Sequence, residues 1–131
     1  MKKPPNQEYC YVSGPISNMK NFNRDAFNAV SAELEGWGWA VCNPIEEDAK
    51  RNHDPKDCVV GGNSRADALK ADCIFICNRK PTLFVLPDWQ QSSGSKAEIA
   101  LGKSLNCPIK FLRRKKVAEI IRRRMKVPAK R

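Results

Sequence analysis

Strand-like and helix-like segments alternate along the whole chain, and this alternation is the feature that most constrains the fold. Short apolar runs typical of strands cover residues 8–13, 39–42, 82–86 and 108–112. Stretches with helical spacing of apolar residues cover 24–37, 63–77, 95–105 and 114–126. Apolar strands that alternate with helices predict a doubly wound, flavodoxin- or Rossmann-like α/β fold. We expect a parallel sheet of four to five strands with helices on both faces.

Three loops follow the predicted strands, at 13–23, 43–62 and 87–95. In open parallel sheets ligands bind beyond the carboxyl ends of the strands, so these loops should surround one cleft. The stretch 45–62 is polar and rich in Asp, Lys and Gly. We expect it to be a mobile surface loop.

The net charge of +10 is concentrated at one end of the chain. Residues 110–131 hold eleven of the 24 basic residues and one of the 14 acidic residues, so the rest carries 13 of each. We therefore divide the chain into an α/β domain, 1–112, and a basic C-terminal helix and tail, 113–131, which is part of the same domain or an appendage. The basic segment is a solvated helix face, or it contacts nucleic acid or an acidic partner. It has no aromatic residue after Phe111, so it offers no further ring on which a base could stack.

The cysteines and the single histidine give no sign of a metal site. No C-x-x-C pair occurs, and His53 lies in a charged loop. Five cysteines fall in predicted strands or an apolar helical stretch, which predicts reduced, buried thiols at Cys10, Cys42, Cys73, Cys77 and Cys107. No apolar run reaches the roughly 18 residues of a membrane span, and no signal peptide is expected. We expect a cytoplasmic protein.

Glu98 is the first candidate for chemistry. It follows the loop 87–95 in the first turn of a predicted helix, where the helix dipole favours a carboxylate. An ionised carboxylate there can attack a sugar anomeric carbon, as the nucleophile of a retaining glycosidase does. The spacing Ser95-x-x-Glu98 is also that of a capping box, in which Glu98 only closes the helix start. The residues alone leave both interpretations open.

Two further features are candidates on weaker grounds. The turn 13–18 follows the first strand, and its Gly and Ser residues can offer N–H groups and hydroxyls to a phosphate, or it is an ordinary tight turn. Asp72 lies in the apolar stretch 71–75, where a buried carboxylate is costly. It either faces solvent or has a role at the cleft.

Taken together, these motifs resemble the nucleoside 2-deoxyribosyltransferase superfamily over about residues 8–112. They are similar above all to short bacterial and phage domains and to nucleoside 5′-monophosphate N-glycosidases. The matching residues are Tyr11-x-Ser13-Gly14-Pro15, Asn43-Pro44, Lys70-Ala71-Asp72 and Leu86-Pro87-x-Trp89-x-x-Ser92-x-Gly94-x-x-x-Glu98.

The resemblance implies catalytic roles for three residues. Glu98 would attack the anomeric carbon, Tyr11 would contact its carboxylate, and Asp72 would protonate or hold the leaving base. It also implies a homo-oligomer and a reaction without metal or organic cofactor. Hydrolysis and base exchange differ only in what attacks the glycosyl-enzyme second, so both remain open.

The resemblance also indicates which residues bind substrate. Ser92 stands where nucleoside transferases carry an acid, and a hydroxyl does not repel phosphate, so a (deoxy)nucleoside 5′-monophosphate is favoured. Pro15 replaces a phosphate-binding hydroxyl, which leaves that contact to Ser13 or Ser17. Substrate contacts are expected from Ser13, Gly14, Ser17, Ser92 and Gly94, while Trp89 and Phe22 stack on the base or pack in the core. The alternatives are a deoxyribosyltransferase for free nucleosides and a non-catalytic nucleotide-binding domain with a nucleic-acid-binding tail.

Overall fold

The four predicted strands form one parallel sheet. The computed structural model describes residues 1–17, 19–50 and 63–126. The strands are β1 (Tyr9–Ser13), β2 (Ala40–Cys42), β3 (Thr82–Val85) and β4 (Ile109–Phe111). All neighbouring pairs are parallel, in the order β2-β1-β3-β4. The predicted α/β class is therefore confirmed, with β1 in the interior of the sheet.

Five helices connect and cover the strands in the described ranges. They are α1 (Arg24–Gly36), α2 (Pro44–Lys50), α3 (Asn63–Arg79), α4 (Ser93–Ser104) and α5 (Arg114–Lys126). None of them, within the residues described, is long and apolar enough to cross a membrane.

The alternation of side chains along β1 divides the core into two layers. Cys10 and Val12 belong to a buried cluster with residues of α1 and α5. Tyr11 points to the other face and belongs to a cluster with Ile76 of α3 and Ile99 of α4. Since side chains in a strand alternate between faces, Ser13 lies on the same face as Tyr11. This alternation brings two hydroxyls of β1 towards α4.

The basic helix α5 packs against α1 and is part of the folded unit. Val117 and Ile120 are buried in the α1 layer. At the other end of α5, the guanidinium groups of Arg123 and Arg124 each lie 3.1 Å from Glu33 Oε1 of α1. These hydrogen bonds lower the pKa of the Glu33 carboxyl, against the opposing effect of its burial.

The prediction of a loop over 45–62 is wrong for its first part, because α2 covers Pro44–Lys50. Its start has a clear local cause: Asn43 Oδ1 accepts a hydrogen bond from the Ile45 N–H, and proline suits the first helical position. Glu46 and Glu47 in the first turn complement the helix dipole. Residues 51–62, with His53, lie outside the described residues.

The prediction of buried thiols is wrong for two of the five cysteines. Cys77 is exposed and Cys73 is half-buried, whereas Cys10, Cys42 and Cys107 are buried as predicted. Asn23 directly precedes α1, but its side chain makes no capping bond and donates to the Pro15 carbonyl instead.

Candidate active site

Glu98 lies in the second turn of α4, one turn further along than predicted. The helix begins at Ser93, and Ser92 is its N-cap, whose hydroxyl oxygen accepts the Ser95 N–H at 3.1 Å. Ser95 is therefore not the cap, and Glu98 does not close a capping box. The capping interpretation of Glu98 is wrong because the preceding serine occupies the cap position.

The Glu98 carboxylate is buried and accepts hydrogen bonds from two hydroxyls of β1. Tyr11 donates to Oε2 at 2.9 Å, and Ser13 donates to Oε1 at 2.7 Å. The oxygens of Ser13 and Ser95 are 3.1 Å apart. A hydroxyl has one proton, so while Ser13 donates to Glu98 it accepts from Ser95. Each carboxylate oxygen of Glu98 thus has a defined donor.

Asp72 of α3 is buried beside Glu98. Burial, together with the charge of Asp72 and a hydrogen bond to it, raises the pKa of Glu98 to about 8, although the donors Ser13 and Tyr11 lower it. Two carboxyl groups this close cannot both ionise at low cost, so the pair holds a proton at neutral pH. Burial, then the charges of Glu98 and Asp72, raise the pKa of Tyr11 well above its usual value, so its phenol remains a donor.

A cleft of about 400 Å³ opens above this pair, at the carboxyl ends of β1 and β3. Its polar wall is formed by the turn after β1 and the first turns of α4, and its apolar wall by side chains of α1, α2 and α3. Among the described residues the lining comprises Tyr11, Gly14, Ile16, Ser17, Phe27, Pro44, Ala68, Leu69, Asp72, Gln91, Ser92, Ser93, Gly94, Ser95, Lys96 and Glu98.

The structure brings seven of the ten predicted site residues to this cleft. They are the three candidate catalytic residues together with Gly14, Ser17, Ser92 and Gly94. Ser13 is buried beneath the cleft, with its hydroxyl on Glu98, so it positions the carboxylate and is not directed at a phosphate.

Two predicted base-stacking residues are not among the described lining residues. The Trp89 ring packs beside Phe111, with centroids 5.4 Å apart, at the outer edge of the sheet. Phe22 lies under the guanidinium of Arg24, 5.4 Å from its ring centroid. Neither ring lies at the wall that a base in the cleft would contact.

Nine of the residues that line the cleft were not predicted as site residues, among them three apolar residues of the helices and one cation. Phe27, Pro44 and Leu69 line its apolar wall, and Lys96 lies at its rim. Nothing in the sequence around Phe27 and Leu69 marks them as cleft residues, because an apolar side chain at such a position is equally typical of the core. Lys96 lies in the first turn of α4, directly after the loop 87–95, and this place at a helix start beside the expected cleft could have indicated a cation there.

Gly14, in the turn after β1, packs closely against the residue that follows β3. A Cβ built on it would lie 2.8 Å from the Cβ of Leu86. A hydrogen bond from the Leu86 N–H to the Ser13 carbonyl, 2.8 Å long, holds these two segments close together. Only glycine permits this spacing without displacement of Leu86, so the position serves packing as well as the cleft.

The fold and the site together define a parallel α/β protein with a buried carboxyl pair under a cleft at the carboxyl edge of its sheet. Residues 8–111 match the model of a family described as a domain of unknown function, DUF4406. The match covers most of the chain, so the protein belongs to the DUF4406 family. The comparisons with curated proteins and with solved structures give no match.

Proposed function

We propose that this protein cleaves the N-glycosidic bond of a (deoxy)nucleoside 5′-monophosphate, with Glu98 as nucleophile. The observation that carries the proposal is the Glu98 carboxylate on the cleft wall, with Tyr11 and Ser13 donating to its two oxygens and Asp72 at its side. A carboxylate held by two donors and paired with a second carboxyl group suits glycosyl transfer, which needs a nucleophile and an acid.

The pair supplies both groups when its shared proton is on Asp72. Burial and the charge of Asp72 raise the pKa of Glu98 to about 8, so the resting pair holds its proton mainly on Glu98. The hydrogen bonds from Ser13 and Tyr11 oppose this and stabilise the reactive form, in which Glu98 is ionised and Asp72 protonated. A Glu98 oxygen then attacks C1′, the C1′–N bond breaks, and its electron pair leaves with the base, which takes the Asp72 proton. Water or a second base attacks C1′ next, its proton passes to Asp72, and Glu98 is released. This scheme needs neither a metal ion nor an organic cofactor.

The polar wall of the cleft supports a phosphate on the substrate. The Ser92 oxygen accepts the cap hydrogen bond, so its proton remains for donation into the cleft. The N–H groups of Ser93 and Gly94 have no partner among the described hydrogen bonds, and both residues line the cleft. Lys96 adds a positive charge at the rim, and the start of α4 adds its dipole. Ser17, in the turn after β1, offers a further hydroxyl on this wall.

The apolar wall suits the base and the sugar. Phe27, Pro44 and Leu69 provide surfaces for a flat ring, and Asp72 lies at the same side of the cleft. A volume of about 400 Å³ is in the range of pockets that hold small ligands. The base therefore lies towards α3 and the phosphate towards the start of α4, with C1′ near Glu98.

The test is incubation with each deoxynucleoside monophosphate and each deoxynucleoside, followed by chromatography for free base. Glu98→Gln should reduce base release at least about 10³-fold, since it removes the nucleophile. Glu119→Gln, the same change at an exposed acid of α5, is the matched control and should keep full activity. Intact-protein mass spectrometry should detect a sugar-phosphate adduct on wild type alone.

The outcomes separate the alternatives. Base release from free deoxynucleosides only, with a second base required, would make the protein a nucleoside deoxyribosyltransferase. Binding of nucleotides without base release would leave a nucleotide-binding domain. Activity retained in Glu98→Gln would exclude Glu98 as nucleophile.

A further inference from the structure

We propose that the edge of the sheet beside α5 binds single-stranded nucleic acid. The binding surface, here called the β4–α5 surface, consists of the aromatic pair Trp89 and Phe111 and the cations Arg113, Lys115 and Lys116. Arg113, Lys115 and Lys116 are exposed, and Phe111 is 49% exposed. They follow one another within six residues of the chain, at the point where the edge strand β4 passes into α5.

Of the seven cations between residues 113 and 124, three are held in ion pairs and three near the start of α5 are not, within the described residues. Arg114 makes a bidentate bond to Asp88, at 2.9 and 2.7 Å, and Arg123 and Arg124 hold Glu33. These three neutralise acids and fix α5 to the domain. In contrast, Arg113, Lys115 and Lys116 have no ion pair with any acid in the described part of the chain. Their charges remain available for a ligand.

The position of these cations is unfavourable for the helix itself. The first turn of α5 contains Arg114, Lys115 and Lys116 and no acidic residue. The positive end of the helix dipole lies there, so cations in this turn destabilise the helix start relative to acids in the same places. Sequences that break a local rule of this kind commonly do so at functional surfaces. An external polyanion would offset the cost.

Phe111, two residues before the first of these cations in the chain, belongs to an aromatic pair. Trp89 comes from the loop after β3 and packs on Phe111 of β4, with an interplanar angle of 42°. The Asp88–Arg114 bond fixes this loop to the start of α5. About half of the Phe111 surface is therefore exposed to solvent, on a ring that is supported by its contact with Trp89. Three cations without ion pairs to described acids follow two to five residues further along the chain.

This combination fits a single strand better than other polyanions. Unstacked bases can stack on an exposed aromatic ring while neighbouring phosphates contact Lys and Arg side chains, the pattern of single-strand binding surfaces. In a duplex the bases are already stacked on one another, so their faces are not available to an aromatic side chain. An acidic protein would bind through the cations, and this binding would not require the exposed ring of Phe111. Phe111 thus distinguishes the proposed partner from its competitors.

Fluorescence polarisation with a labelled 20-nucleotide DNA strand of mixed sequence tests the proposal, with wild type compared at several salt concentrations. The triple variant Arg113→Gln, Lys115→Gln, Lys116→Gln should lose affinity, and its slope of log K against log salt should flatten by about 2, at roughly 0.7 per lost phosphate contact. The matched control Lys2→Gln, Lys20→Gln, Lys103→Gln removes the same charge from exposed sites elsewhere and should keep the wild-type slope.

A second variant tests stacking separately from charge. Phe111→Ala should weaken binding of the single strand about tenfold without a change of salt slope, and Phe111→Tyr should retain wild-type affinity. Circular dichroism confirms that each variant is folded. The hydrolysis of nucleotides plays no part in these measurements, and Glu98→Gln should bind the strand as wild type does.

Three results would overturn the proposal. The control triple variant could flatten the slope of log K against log salt as much as the variant of the β4–α5 surface does. This would mean that the strand is attracted by net charge alone. Phe111→Ala could bind normally with the duplex of the same sequence bound equally well, which would indicate phosphate contact alone. Polyglutamate of matched charge could displace the strand as well as unlabelled DNA, which would indicate an acidic protein partner.

Discussion

The Tyr11 hydroxyl lies 2.9 Å from Glu98 Oε2, although the two residues are 87 positions apart in the chain. One belongs to an interior strand of the sheet and the other to the helix that covers it. Tyr11 is fully buried, and the burial that raises its pKa keeps its proton in place as a donor. The contact therefore holds the carboxylate in one orientation towards the cleft.

Stability should fall as the pH rises through the range in which Glu98 titrates. Its folded-state pKa is raised from 4.5 to about 8, so between these values the folded state binds more protons than the unfolded state. The free energy of unfolding then decreases with pH in that window and levels off above it. Glu98→Gln removes this dependence and should gain stability at pH 8 relative to wild type.

Thermal unfolding at pH 5 and pH 8 measures this effect. The drop in Tm between the two pH values should be at least about 3 °C smaller in Glu98→Gln, which corresponds to roughly 1 kcal/mol. Glu119→Gln, at an exposed position, should behave as wild type. Equal drops in Glu98→Gln and wild type would mean that Glu98 titrates normally.

Asp72→Asn should change the pH profile of base release as well as its rate. In wild type, loss of the shared proton as the pH rises past about 8 removes the acid for the leaving base, so kcat/KM declines. In Asp72→Asn the raising effect of the Asp72 charge on Glu98 is gone, so the pKa of Glu98 falls. We expect kcat/KM to drop about 10²-fold or more and its alkaline decline to disappear.

The profile is measured from pH 5 to pH 9 with a deoxynucleoside monophosphate that wild type cleaves. Tyr11→Phe serves as the comparison, because it removes a donor that lowers the pKa of Glu98 and should move the acid limb to higher pH. An alkaline limb unchanged in Asp72→Asn would assign the titrating acid to another group.

Ser92→Asp should reverse the preference between nucleotide and nucleoside. Aspartate caps helices as well as serine does, so α4 should keep its start, but a negative charge would face the phosphate. Ser92→Asn is the neutral cap control. The measurement is the ratio of kcat/KM for a deoxynucleoside monophosphate to that for its deoxynucleoside, expected to fall about 10²-fold in Ser92→Asp only. A ratio below one in wild type would contradict the monophosphate proposal.

Lys115→Glu together with Lys116→Glu should stabilise the fold. The substitutions place two acids at the positive end of the α5 dipole, in exposed positions without described ion pairs. A gain of about 1 kcal/mol is expected at low salt, and it should shrink at high salt. Urea unfolding at both salt concentrations measures it. Lower stability at low salt would show that the two lysines make stabilising contacts in the free protein.

The fold class was accessible from the sequence because its signals are local. The period of apolar residues distinguishes strand from helix within a few positions, and the alternation of the two types predicts a parallel sheet with helices on both faces. All four strands appear at their predicted places, within one or two residues. The helix at 44–50 was not predicted, because the polar composition of this segment is equally typical of a loop. Asn43, Pro44 and two glutamates mark its start.

The local sequence did not determine which side chains contact one another. The spacing of Ser95 and Glu98 fits a capping box, but the helix begins earlier and Glu98 meets β1. Asp72 could have faced solvent, and only the packing of α3 against α4 determines that it is buried beside Glu98. Trp89 lies beside Phe111 because β4 pairs with β3. The sequence determined which segments form the sheet and which polar residues follow its strands. Tertiary structure decided which of those residues meet, because contacts between distant segments depend on the packing of whole elements.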